Sequence, residues 1–391
     1  MPAPSPDTPN PGDANAPFGG ASFGSPGPDR PVIAVSMGDP SGIGPEVLVK
    51  ALADRALRRS ARFRVYGLHT AMAAAADRAG IEPYWWRVRH DGGVDLSDLR
   101  HDVLLVDHAS GEGSGSDFAA ARPAPGAAPA PGPTKGGGIA SFRFVEEAIA
   151  AAGGVAGKAR GSPPHPGEGA HAVVTGPISK EAWALAGRSR YPGHTELLAS
   201  RFHSKRTRMM FVSPRLNIIL VTAHLPLMDL RNVVTIGRIH ETIDLGAAAC
   251  RELGVHRPRI AVCGLNPHAG EAGLLGDEEQ RLIGPAIRLA QEQGVDASGP
   301  FPGDTIFRDA VDFRRFDLVV AMYHDQGLIP VKLLAFDRAV NTTVGLPIVR
   351  TSPDHGTAYD IAGRDRADPG SMHAALELAV KMAGSRLAGA A

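Results

Sequence analysis

Three apolar, strand-like runs in this chain each lead within a few residues to a histidine: LNIILVTAHLP at His224, RIAVCGLNPHAG at His268 and FDLVVAMYHDQG at His324. If the runs are parallel strands, these histidines stand outside their carboxyl ends, where open α/β sheets bind ligands. Three imidazoles leave a coordination position open on a divalent metal, as a catalytic ion requires. Asn266 and Asp325 lie close by in sequence. The plainer reading is that each belongs, like most of the 15 histidines, to a surface or a hydrogen-bonded loop. The shared setting after three strands brings the joint metal reading level with the plainer one.

A second group of residues suits an anion. In YPGHTELLA, His194 and Thr195 offer an imidazole and a hydroxyl beside a helix amino end, although Thr195 also reads as a plain helix cap. The stretch MYHDQGLIPVKLLAFDRAVNTTVGLPIVRTSPDHGTAYDIAG carries His324, Asp325, Lys332, Asn341 and Arg350. A guanidinium fork and a lysine point charge in one module suit a phosphate group, and exposed surface cations would look the same. The turn GDPSGIGPE follows a strand and opens a helix, but Pro45, Glu46 and Val47 stand where a dinucleotide fingerprint needs its third glycine. Its glycines serve either tight turn geometry or a cleft wall. In TGPISKEA, Ser179 reads as a helix cap. No HExxH, GxSxG or paired CxxC is present.

The elements that must position these residues alternate. Strand candidates are PVIAVSM, FRVYGL, DVLLVD, HAVVTG, MMFVSP, LNIILVTA, RIAVCGL and DLVVAMY. Helical patterns are PEVLVKALADRALR, IASFRFVEEAIAAA, ISKEAWALAG, TIGRIHETIDLGAAACREL, EEQRLIGPAIRLAQEQG and SMHAALELAVKMAGSRL. This order predicts a mainly parallel α/β sheet, with a hairpin where MMFVSP and LNIILV adjoin.

A chain of 391 residues exceeds what one core usually supports, so two domains are expected. Lys+Arg and Asp+Glu are each 41, which leaves no basic excess for nucleic acid and assigns any anion to a local pocket. Two cysteines, Cys250 and Cys263, cannot form a disulfide framework and fit a reducing, cytoplasmic setting. No apolar run approaches the ~18 residues of a membrane span. Residues 1–30 read as a disordered Pro/Gly-rich tail without signal-peptide features, and 111–138 and 153–169 as Pro/Gly-rich insertions, the second containing the bystander His165.

MGDPSGIGPE, TGPISKEA, YPGHTELLA, VTAHLPL, GLNPHAGE, GPFPGDTIF, YHDQGLIPVK and GLPIVRTSPDHGTAYDIAG, in this order, resemble the 4-hydroxythreonine-4-phosphate dehydrogenases of vitamin B6 synthesis. The resemblance covers nearly the whole chain apart from the tail and the insertions. It implies two α/β/α domains flanking a cleft, as in isocitrate and isopropylmalate dehydrogenases, with 31–188 plus 341–391 in the first domain and 189–340 in the second. It further implies an NAD- or NADP-dependent, cytoplasmic homodimer whose active sites are shared between chains, each with one divalent metal, zinc, magnesium or cobalt. That fold binds its nucleotide without the Rossmann glycines, which accounts for the failed fingerprint.

By the same resemblance His224, His268 and His324 are metal ligands, and His194, Thr195, Lys332, Asn341 and Arg350 touch the substrate. The implied reaction oxidises the C3 hydroxyl of 4-phosphohydroxy-threonine, after which the β-keto acid loses carbon dioxide to give 3-amino-2-oxopropyl phosphate. A bound cation would favour the alkoxide and ketone oxygens. Lys332 would assist proton transfer or hold phosphate, and Asp325 would orient a ligand of the metal. A paralogous group oxidises 4-phospho-D-threonate or 4-phospho-D-erythronate; its YHDQG-x-IPVKLL wording is close to this chain's, although Leu328 stands where that group often has His. More distant readings are a metal-dependent phosphate-ester hydrolase and a non-catalytic sugar-phosphate-binding protein.

Overall fold

The structure is a computed structural model that describes residues 30–90, 100–108, 132–153 and 169–390. Strand β1 (Val32–Ser36) is buried along its whole length, as an apolar run without polar alternation must be when both sheet faces are covered. It is joined in chain order by β2 (Arg62–Gly67), β3 (Trp86–Arg89), β4 (Val103–Asp107), β5 (Ala172–Thr175) and β6 (Arg208–Val212). Then follow β7 (Ile218–Leu220), β8 (Ile260–Cys263), β9 (Ala297–Phe301), β10 (Leu318–Ala321), β11 (Val340–Val344) and β12 (Val349–Pro353). All 12 form one sheet in the order β3-β4-β2-β1-β5-β12-β11-β6-β7-β10-β8-β9.

The first six strands in that order are mutually parallel, and so are the last four. Strand β11 is antiparallel to both β12 and β6, and β6 to β7, so the direction reverses in the middle of the sheet. The expected hairpin is this β6–β7 pair. Helices cover both faces, which makes this the α/β architecture anticipated from the sequence. In the β7-β10-β8 region the alternation is plain: Ile218, Leu220, Ala261, Val319 and Ala321 meet Ile306 and Val331 on one face. Ile219, Ile260, Val262, Leu318 and Val320 belong with Ile239, Ile243 and Ile287 on the other.

Several expectations need correction. Strands β3, β9, β11 and β12 were not among the strand candidates, and helix 324–335, which contains Pro330, was not among the helical patterns. The pattern PEVLVKALADRALR is two helices, because Asp54 caps the second by accepting from Ala56 N at 2.8 Å. The Gly-rich run at 136–138 is not insertion: a helix starts at Lys135, with Thr134 Oγ1 accepting from Gly137 N. A Cβ at Gly137 would lie 2.6 Å from Asp39 Oδ1, and one at Gly138 would run into the Ala182 carbonyl, so these glycines permit close packing. Residues 111–131 of the first expected insertion, residues 154–168 with His165, and residues 1–29 lie outside the described residues.

Candidate functional site

Strands β7, β10 and β8 are sheet neighbours running in one direction, so His224, His268 and His324 do follow the carboxyl ends of adjacent parallel strands. The first and third meet. Thr222 Oγ1 donates to Met322 O at 2.7 Å and Val221 N to Ala321 O at 2.9 Å, which ties the two strand ends together. The His224 and His324 ring centroids are 5.4 Å apart. His324 opens helix 324–335, and its Nδ1 is 2.7 Å from Asp325 Oδ1. A carboxylate can only accept, so that contact puts a ring proton on Nδ1, and in the neutral ring it leaves Nε2 with its lone pair. Burial, then the charges of Lys180 and His324, hold the His224 pKa below the usual histidine range.

His268 departs from the expected trio. It begins a run of five left-handed residues, 268–272, with φ between 43° and 79°. The buried Glu279 braces that turn: Oε1 accepts from Leu265 N and Asn266 N, both at 2.7 Å, and Oε2 from Asn266 Nδ2 at 2.9 Å. Among the described residues no three His, Cys, Asp or Glu side chains converge into a metal-holding group. One chain therefore brings together two imidazoles of the three.

The anion residues converge more fully. A cavity of about 190 Å³ over the β5-β12-β11-β6 junction is lined by His194, Thr195, Asn341, Arg350 and His224, together with Thr175, Lys180, Glu196 and His355. Arg350, 3% exposed, is the key group. Its Nη1 donates to Thr343 Oγ1 at 3.1 Å and its Nη2 to Thr175 Oγ1 at 2.7 Å, while the buried Nε has no partner. Burial pushes its pKa down to about 10, with Glu196 opposing, so the guanidinium stays charged at neutral pH. No carboxylate pairs with it among the described residues. A buried cation lacking a counter-ion is costly unless an anion arrives.

His194 Nε2, Asn341 Oδ1 and His355 Nε2 are also buried without partners. Burial first, then the charges of Arg350 and Lys180, hold His194 well below the usual histidine range, so it is neutral at pH 7. The helix starts at His194 after Gly193, which makes Thr195 a cavity hydroxyl rather than the cap. Lys332 is the exception. Its Nζ is bound by Asp354 Oδ2 at 2.5 Å and lies over Phe336, and it is not among the residues that line the cavity. Lys180 and His355 were not singled out from the sequence. Both sit in runs already quoted, TGPISKEA and SPDHGTAYD, and only the fold shows them converging.

The GDPSGIG turn lies behind the wall, and none of its residues lines the cavity. Asp39 N donates to Pro177 O at 2.8 Å, Ile43 N to Thr357 O at 2.9 Å and Tyr359 OH to Asp39 Oδ2 at 2.7 Å. It thus splices the 176–180 and 355–359 loops that form the wall. Burial raises the Asp39 carboxyl pKa. Ser179 caps its helix as expected, accepting from Ala182 N at 3.1 Å.

A doubly covered α/β sheet with a cavity built around a buried arginine that no carboxylate pairs, among the described residues, defines a site suited to a small anionic ligand. The family model described as "Pyridoxal phosphate biosynthetic protein PdxA" matches residues 164–379. A 4-hydroxythreonine-4-phosphate dehydrogenase of Geobacter metallireducens is 42% identical over 355 residues, covering 90% of this chain and 96% of the relative. A D-threonate 4-phosphate dehydrogenase of Cupriavidus necator is 39% identical over 365 residues, covering 91% and 98%. The crystal structure of the 4-hydroxythreonine-4-phosphate dehydrogenase of Klebsiella pneumoniae superposes with a TM-score of 0.72 at 36% identity, covering 90% of this chain and 99% of that one. The chain belongs to the PdxA family.

Proposed function

We propose that this protein oxidises the C3 hydroxyl of 4-phosphohydroxy-L-threonine with NAD or NADP, the keto acid then losing carbon dioxide to give 3-amino-2-oxopropyl phosphate for pyridoxal phosphate synthesis. The observation that carries the reading is Arg350, a buried cation without a counter-ion in a cavity shared with His194, Thr195 and Asn341. Arg350 binds an anionic end of the substrate. Neutral His194, Thr195 and Asn341 supply hydrogen-bonding atoms for its remaining polar groups. Oxidation of the 4-phospho-D-threonate class is the second reading, favoured by relatives of that name at nearly the same identity. Turnover of each substrate with each nucleotide, read at 340 nm, decides between them; turnover of neither refutes the dehydrogenase reading.

The His224 and His324 pair fits two ligands of a divalent ion, zinc, magnesium or cobalt, and His268 of a second subunit supplies the third. Such an ion, when bound, favours the alkoxide over the alcohol. Asp325 orients the His324 ring. Exposed apolar residues support a homodimer with shared sites, for they cluster on the segments that follow the same three strands. They are Leu225, Leu227 and Met228 after β7, Leu274 and Leu275 after β8, and Ile329, Leu333 and Phe336 after β10. Lys332, on the same helix as His324, assists proton transfer once that assembly forms. The domain division at 188/189 and 340/341 and a cytoplasmic location belong to the same proposal. Among the described residues no helix is long and apolar enough to cross a membrane.

A further inference from the structure

Arg350 meets one anionic group, whereas the proposed substrates carry two, a phosphate and a carboxylate at opposite ends of four carbons. Lys332 is paired with Asp354 and is not among the residues that line the cavity. Lys180 lines it. A Cβ at Gly193 would lie 3.8 Å from Lys180 Cε, which places the end of the lysine stem beside the turn that presents His194 and Thr195. The same Cβ would lie 3.4 Å from Glu196 Oε2, so Glu196 shares that wall without pairing with the lysine. Among the described residues no hydrogen bond or ion pair engages the Lys180 ammonium. Its charge is close enough to depress the pKa values of both His194 and His224.

We propose that Lys180 is the second anion clamp of the cavity: buried Arg350 holds one end of the substrate and exposed Lys180, at the mouth, holds the other. The cavity thereby selects small molecules with two anionic ends over those with one. This rests on the substrate reading above and assigns it a residue that neither motif nor resemblance had supplied. Lysine suits the position, because a flexible point charge can follow a ligand that enters past it.

The test uses the full-length protein and three unreactive probes in calorimetric titrations: 4-phosphooxybutanoate with two anionic ends, butyl phosphate and butanoate with one each. A charge-assisted contact of the usual strength makes Lys180→Met weaken 4-phosphooxybutanoate on the order of 10- to 100-fold. Of the two single-ended probes, Lys180→Met weakens one and Arg350→Met the other. Lys180→Arg restores most of the affinity. In turnover, Lys180→Met raises KM for the phosphorylated substrate and leaves KM for the nucleotide unchanged. If Lys180→Met leaves all three probes unchanged, or weakens all three equally, the clamp is refuted while the substrate reading stands. If the wild-type protein binds 4-phosphooxybutanoate no better than butyl phosphate, the two-anion substrate reading falls and the clamp with it.

Discussion

Replacing Arg350 with Met separates function from stability in a way an ordinary buried arginine would not. Burial lowers the guanidinium pKa from 12.5 to about 10, a penalty of about 3 kcal/mol on the charged form. The sign follows from the protonation states. Near pH 7 the group is charged in both folded and unfolded chains, so the penalty is constant there and fades only as pH rises toward 10 and beyond. Against it stand the two hydroxyl contacts to Thr343 and Thr175, at about 1.5 kcal/mol each. The contributions nearly cancel, so Arg350→Met should unfold in urea within about 1 kcal/mol of wild type. Substrate binding should nevertheless weaken by about 2–4 kcal/mol, and Arg350→Lys should recover part of it because an ammonium lacks the fork. 4-Phosphooxybutanoate, which carries both anionic ends, should raise the Tm of the wild type more than that of Arg350→Met. A loss of more than about 3 kcal/mol of stability with an unchanged substrate KM would refute the reasoning and make Arg350 a structural residue.

Three further outcomes are expected. Since His224 and His324 meet within one chain, mixing His268→Ala with His224→Ala under subunit exchange should recover about a quarter of wild-type activity, and a fully active monomer in sedimentation would contradict shared sites. His373, bridging Glu377 at 3.3 Å and Asp54 at 3.0 Å, has its pKa raised chiefly by Glu377, with burial opposing and Asp54 adding. Its contribution is therefore full below the unfolded value near 6.5 and lost as pH rises through the higher folded value; Tm plotted against pH should show that decline for wild type, and a flatter profile for His373→Gln. Gly138→Ala, which forces a methyl onto the Ala182 carbonyl, should cost about 2 kcal/mol or more in urea unfolding, and a neutral result would mean that the two helices can part freely.

The parallel strands and long helices were legible because each is an uninterrupted apolar or periodic run, as in β1, β5, β8 and β10. Strands β11 and β12 were not, because VNTTV and VRTSP carry the polar site residues on the face that would otherwise signal burial. The glycines at 136–138 misled because their reason lies in residues 39 and 182, far away in sequence. Four anion-site residues found by motif, His194, Thr195, Asn341 and Arg350, do meet in one cavity. Lys332 does not join them, since spacing in sequence does not reveal that Asp354, 22 residues on, pairs with its ammonium.

The position of β12 has a consequence for how the protein is made. Arg350 reaches Thr175 across 175 residues of chain, and β12 enters the sheet between β5 and β11, beside a strand synthesised long before it. The amino-terminal strands therefore emerge from the ribosome with β5 as an unfinished sheet edge, and stay so until residues 349–353 have been translated. Such late, distant pairing slows folding and leaves a sticky intermediate. A chain cut just before β12 should thus lose anion binding and aggregate as it is made, because edge strands without partners recruit other chains.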